Sequence, residues 1–175
     1  MKQLITFDGS TPAVHDTAFL AHSAIIIGQA AMGAHSSAFY GVVVRGDTNS
    51  ITVGEGSNLQ DNVVLHADPG FPTRVGNGVS VGHGAVVHGC IVEDDCLIGM
   101  GATIMNGAVI GAGSLVAGGA VVLEGAIIPP GSLVAGVPAK VRRSLTDEEL
   151  EHVRENARNY VTLAGKHKAL QDLPG

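Results

Sequence analysis

From Val53 to Val134 an aliphatic residue returns at a nearly fixed interval. The series runs Val53, Leu59, Leu65, Val75, Val81, Val87, Val92, Ile98, Ile104, Ile110, Val116, Val122, Ile128 and Val134, and eleven of its thirteen steps are six residues. Three positions after these aliphatics stand Gly56, Gly78, Gly84, Gly101, Gly107, Gly113, Gly119, Gly125 and Gly131. Four positions after them stand small or β-branched residues, among them Ser57, Val63, Val79, Ala85, Ala102 and Ser114. Each hexad therefore reads as a short strand and a bend, with the aliphatic side chain inward and the small one in a crowded corner. A helix is excluded, because glycine at every sixth position costs about 1 kcal/mol each against alanine. Three hexads close a triangular coil, and successive coils stack about 4.8 Å apart. A looser series, Leu20, Ile26, Met32, Ala38 and Val44, begins the pattern earlier.

Besides the five-residue step from Val87 to Val92, two longer steps break the rhythm. Leu65 to Val75 spans ten residues, so Ala67–Arg74 holds an excursion of four, and Val44 to Val53 spans nine, opened by Asp47-Thr48-Asn49-Ser50. Insertions in a solenoid map to loops on a functional face. After Pro138 the repeat stops. Thr146 and Glu149 form a capping box, and Leu150, Val153, Ala157, Val161 and Ala164 give the helix that follows one apolar stripe. The expected division is a β-solenoid over 1–140 and a helical segment over 141–175, packed on the solenoid or on a neighbouring subunit and frayed from Gln171 onward.

Composition agrees. Glycine supplies 25 of the 175 residues, and 45% of the chain is apolar while 3% is aromatic. That apolar content excludes disorder, and the absence of a three-residue glycine period excludes collagen. A net charge of −6 gives no reason to expect nucleic acid. No apolar run nears the ~20 residues of a membrane span, and the opening MKQLITFDGS lacks the apolar stretch of a secretory signal. A cytoplasmic protein without a membrane partner is expected. Cys90 and Cys96 lie inside the repeat and read as small reduced core residues, with no disulfide framework.

Of eight histidines, His15, His22, His35, His152 and His167 are read as solvated. His66 directly follows Leu65, and His88 directly follows Val87, one coil further on. Both side chains then point outward from one face, with α-carbons about 5 Å apart. His83 lies two residues after Val81, on the preceding face and near a corner. Outward polar residues are also what any solenoid surface needs, but the stacked register favours a metal. The five residues from His83 to His88 reach up to about 16 Å, whereas three imidazoles on one zinc need nitrogens about 3.4 Å apart. His83 of a neighbouring subunit closes that gap, and a ring of three copies suits a triangular prism. Three neutral ligands leave an open fourth position, where zinc brings its bound water to a pKa of about 7. The same ligands also suit Fe2+ or Co2+.

From about Ala18 through the C-terminal helix the chain resembles the γ-class carbonic anhydrases. The carriers are Arg45-Gly46-Asp47, Asn58-Leu59-Gln60-Asp61-Asn62, and then His66, His83 and His88. The resemblance implies a left-handed parallel β-helix, a homotrimer, and zinc held at each subunit interface by His66, His83 and His88. It gives Arg45, Asp47 and Asp61 to an interface ion-pair network. Gln60 matches the residue that orients the zinc-bound hydroxide, Asn58 one near the substrate pocket, and Tyr160 a residue over the site. One departure stands out: Thr48 and the loop Ala67–Arg74, with Asp68 its one carboxylate, lack the family's proton-shuttle glutamates.

The function expected is reversible hydration of CO2 to bicarbonate by a zinc hydroxide at a subunit interface. Three alternatives stand beside it. One is a metal-dependent hydrolase of acyl-CoA thioesters. Another is a hexapeptide acyltransferase, since Ala135-Gly136-Val137-Pro138-Ala139-Lys140 resembles the end of such solenoids. The last is a noncatalytic trimer stapled by zinc.

Overall fold

The computed structural model describes residues 3–171. All fourteen aliphatics of the series are buried, and those at 59, 65, 81, 87, 98, 104, 110, 116 and 134 have no exposed surface. They form a single column of core side chains up the middle of the coil. Truncating one of them, as in Leu65→Ala, is expected to cost about 2–5 kcal/mol, because the rigid coil cannot collapse around the void.

The architecture is the expected left-handed parallel β-helix of about seven turns with one C-terminal helix. One face is an eight-stranded sheet that starts at Phe19–Leu20 and Ser37–Ala38 and continues through Asn58–Leu59 and Ser80–Val81 to Ser132–Ala135. The other two faces are joined in a twelve-stranded sheet by the long strand Val43–Val53. That strand pairs with Val64–His66 through its first half and with Thr73–Val75 through its second. The sheet outlasts the expected boundary at residue 140: Lys140–Ser144 adds an antiparallel strand to Ser132–Ala135.

Where the repeat lacks its glycine, other residues take the bend. His35, Asn62 and Asp95 stand three positions after Met32, Leu59 and Val92, with φ of 55°, 60° and 56°. Asn, Asp and His enter this left-handed region more readily than most residues with a β-carbon. The small inner-corner positions are filled as expected, including Cys90 and Cys96, which are buried and free. Burial pushes both thiols up to about 12, so they stay protonated at neutral pH.

The two interruptions of the repeat meet in space. Thr48 Oγ1 donates to the Ala67 carbonyl, and Asn49 Nδ2 donates to the Asp68 carbonyl at 3.0 Å. Thr73 Oγ1 donates to the His66 carbonyl and accepts from the Gly89 amide at 2.8 Å. The insertion beside Asp47 is thus a brace for the loop that follows His66.

The helix α1 (Asp147–Gln171) starts on the expected capping box: the Glu149 amide donates to Thr146 Oγ1, and Glu149 Oε2 accepts from the Thr146 amide. It lies on the eight-stranded face of its own solenoid. Val153, Ala157 and Ala164 are buried, while Leu150 and Val161 are half-buried. His167 departs from the expected solvated state. It is half-buried, bonded to Tyr40 Oη at 2.9 Å and packed edge-on against Phe39. His15, His22, His35 and His152 are exposed as expected. Gln171 is tied down, accepting from the His22 amide and donating to the Leu20 carbonyl; the rest of the tail lies outside the described residues.

Candidate metal centre

The coil register places His66 and His88 directly opposite one another, as α-carbon partners on adjacent strands. Alternation along each strand sends Leu65 and Val87 into the core and the histidines outward. His66 Nδ1 and His88 Nε2 face each other at 2.9 Å. Each ring is fixed by its other nitrogen. His66 Nε2 donates to Asp47 Oδ1 at 3.0 Å, because a carboxylate only accepts. His88 Nδ1 donates to Asn106 Oδ1 at 2.8 Å, and the Asn106 amide is oriented by donating Nδ2 to Asp68 Oδ2 at 2.9 Å. With both far nitrogens engaged, one nitrogen of each ring is directed at the other across the face of the coil. Two imidazoles converging in this way, each held by a partner on its far nitrogen, are a donor set that fits a metal.

Arg45 is the α-carbon partner of His66 and pairs with Asp47. Partial burial raises the Asp47 carboxyl, but hydrogen bonds from Arg45 and His66 outweigh it and hold the group below its usual range. Asp47 is therefore ionised at neutral pH, as an orienting partner of His66 requires.

His83 belongs to a different group. It sits at the corner between Ser80–Val81 and Val86–His88, and its Nδ1 pairs with Asp61 Oδ2 at 2.9 Å. Asp61 Oδ1 accepts from the Tyr40 amide. Among the described residues, the group of potential ligand atoms lying within 4.8 Å of one another is His66, Asp68 and His88, without His83. The Arg45, Asp47 and Asp61 set is likewise divided, with Asp61 on the His83 side.

Around His83 the chain forms a cleft of about 340 Å3, lined by Gln60, Leu97, Leu115, Asn156 and Tyr160. Gln60 and Asn58 are buried. Gln60 Nε2 donates to Asn58 Oδ1, whose own Nδ2 donates to Ser80 Oγ. Gln60 Oε1 is thereby left as the acceptor. Burial, and then the Asp61 carboxylate, raise the Tyr160 hydroxyl, so it keeps its proton. Asn156 Oδ1 is buried without a hydrogen-bond partner, an acceptor waiting at the wall of the cleft.

Asn106 and Asn156 escaped the sequence reading. Asn106 had a signal: it follows Ile104 by two, and Ile104 is the register partner of Val87. Asn156 had none, because its place over the cleft depends on how α1 docks.

No protein-family model matches the chain. Over 145 residues it is 54% identical to a Methanocaldococcus jannaschii protein named "Probable carbonic anhydrase", covering 83% of this chain and 91% of that one. Over 172 residues it is 46% identical to the Arabidopsis thaliana "Gamma carbonic anhydrase 2, mitochondrial". The chain belongs to the γ-class carbonic anhydrase family. It covers nearly all of the archaeal relative's length but only 62% of the plant one's. Among solved structures, a hexapeptide transferase family protein from Anaplasma phagocytophilum superposes with a TM-score of 0.90 at 40% identity, over 93% of this chain and 96% of that one. Membership of the γ-carbonic anhydrase family supports an enzyme and implies a metal. Within one chain, however, the three histidines that the resemblance assigns to the metal stand apart, two on a flat face and one at a corner beside Gln60 and Tyr160.

Proposed function

We propose that the protein hydrates CO2 reversibly at a site completed by a second copy of the chain in a trimer. His66 and His88 of one copy and His83 of its neighbour hold the metal. The observation that carries this reading is the division itself: the facing ring nitrogens of His66 and His88 on one face, and His83 with Gln60 and Tyr160 in a cleft on another.

A zinc ion held there supplies hydroxide at neutral pH by acidifying water. The chain's own residues do the rest. Asp47 and Asn106 fix the two rings of one copy, and Asp61 fixes His83 through Nδ1, which keeps its Nε2 free. Gln60 Oε1 accepts the O–H of the attacking oxygen and so turns a lone pair toward the carbon. Tyr160 presents a donor to the oxygen that gains charge, and Leu97 and Leu115 give the cleft apolar walls suited to CO2. Thr48, in the place of one shuttle glutamate, spends its hydroxyl on Ala67. The proton then leaves through water and buffer.

Stopped-flow CO2 hydration on the zinc-loaded, reduced trimer tests the reading. A rate above the buffer background, rising with buffer concentration and lost in His83→Ala, is expected. No excess rate in a trimer with bound zinc sinks it. The Anaplasma structural neighbour's description as a transferase, together with the acyltransferase-like end Ala135–Lys140, keeps acyl transfer as the second reading. Turnover of an acyl-CoA with an amine or hydroxyl acceptor, unaffected by zinc removal, favours that alternative.

A further inference from the structure

One column of outward positions runs up the face that α1 covers. Its ends are apolar, with Phe19 on one side and Leu97 and Leu115 on the other. Between them stand Ser37, Asn58 and Ser80, register partners on successive strands and each at most 1% exposed. Packing alone would fill these places with aliphatic side chains, because a buried polar group is costly unless it is hydrogen-bonded. Ser80 Oγ accepts from Asn58 Nδ2 at 2.9 Å, and Asn58 Oδ1 accepts from Gln60 Nε2 at 3.2 Å. An amide has one donor end and one acceptor end, so what it bonds with one end fixes what it presents with the other. With Ser80 accepting, Asn58 turns its oxygen to Gln60, and Gln60 turns Oε1 to the cleft. Turned over, the same pair would aim N–H groups at the cleft, and an N–H does not accept the O–H of a hydroxide. The serine on the other side of Asn58 does not compete: Ser37 Oγ is buried without a hydrogen-bond partner.

We propose that Ser80 is a positioning residue for the hydration step: its hydroxyl fixes the direction of the Asn58–Gln60 amide pair and so keeps Gln60 Oε1 facing the cleft. The proposal rests on the hydration reading above and adds to it a residue behind the cleft wall. Ser80 supplies no ligand and acts through Gln60. The backbone ties the two together, since the Gln60 amide donates at 2.9 Å to the carbonyl of Val81, the residue after Ser80. The short run from Ser80 to His83 thus carries both the end of the amide chain and the histidine of the cleft.

The first measurement needs no metal. In zinc-free, isotope-labelled protein the Gln60 Nε2 protons are identified by their loss in Gln60→Glu, and their exchange with solvent is followed by NMR. Ser80→Ala is expected to speed that exchange by about fivefold, the weight of one buried hydrogen bond. In the zinc-loaded trimer, stopped-flow hydration by Ser80→Ala should show kcat/KM lower by about fivefold. At low buffer kcat is set by proton release and should change less, whereas a loss of folded sites lowers both equally. Zinc affinity, read by chelator competition, should stay near wild type, unlike the roughly 10- to 100-fold loss when a ligand's own partner is removed. Ser80→Thr keeps the acceptor and should recover most of the rate. Ser80→Cys, close in size but a weak acceptor, should resemble Ser80→Ala. In a Gln60→Ala background, Ser80→Ala should add no further loss. Unchanged proton exchange, a wild-type kcat/KM, equal losses in kcat and kcat/KM, or an additive loss beside Gln60→Ala each overturns the proposal and leaves the hydration reading in place. A wild-type trimer with bound zinc and no hydration overturns that reading and this proposal together.

Discussion

Single residues set the metal centre through hydrogen bonds that the repeat register alone does not specify. Gly89 shows how little room there is. It bends the chain at φ +58° directly after His88, and a β-carbon built there would lie 2.0 Å from Asn106 Oδ1. Gly89→Ala therefore strains the turn and displaces the amide that holds His88. We expect this variant to bind zinc more weakly by roughly tenfold although no ligand is changed, as second-layer losses usually do. Chelator competition measures it, and unchanged affinity in a folded variant contradicts the role given to Asn106. At this scale the sequence named His66, His83 and His88 from spacing, because the register of a solenoid is a ruler. It missed Asn156 and the half-buried His167, whose surroundings depend on how the C-terminal helix docks back over the earlier coils.

Among the elements, the helix and the paired insertions decide whether the His66–His88 face and the His83 cleft keep their shape. Helix α1 carries Tyr160 and Asn156, and its first turn is anchored by Thr146, Glu149 and Arg143. Arg143 grips Glu149 with two bonds of 2.7 Å. The Arg143 bond, joined by that from the Thr146 amide, lowers the Glu149 carboxyl to about 2 from 4.5. Because the folded value is the depressed one, this contribution is complete above about pH 4.5 and fades as pH falls toward 2. Thr146→Ala should cost about 1 kcal/mol at neutral pH, read from the denaturant midpoint. Glu149→Gln should flatten the acid limb of stability below pH 4.5; an unchanged limb would remove the ion pair from the account. The capping box was legible as four letters of sequence. That the loop at Asp47–Ser50 braces the loop at Ala67–Arg74 was not, since only the coil brings residues nineteen apart into contact.

At the scale of the whole molecule, the proposed function distributes one reaction centre over two surfaces. Subunit mixing tests that directly. His66→Ala and His83→Ala proteins each lack an intact site as homotrimers. Co-expressed, every mixed trimer regains one site with His66 and His88 from one copy and His83 from another. We expect zinc binding and hydration to return in the mixture and in neither parent. A mixture as inactive as its parents, with mixed trimers shown by mass, would place all three ligands in one chain.

Periodicity by itself determined the solenoid, the inward column from Val53 to Val134, the outward stacking of His66 on His88, and the separation of His83 from both. Each of these follows from a repeat whose period fixes direction and height along one axis, so counting residues is enough. Tertiary structure decided which nitrogen of each ring is free, which amide and carboxylate hold it there, and that Asp68 stands beside the pair. Those choices depend on side chains from different coils, an insertion and a docked helix meeting at hydrogen-bond distance, and no count along the chain measures such a distance.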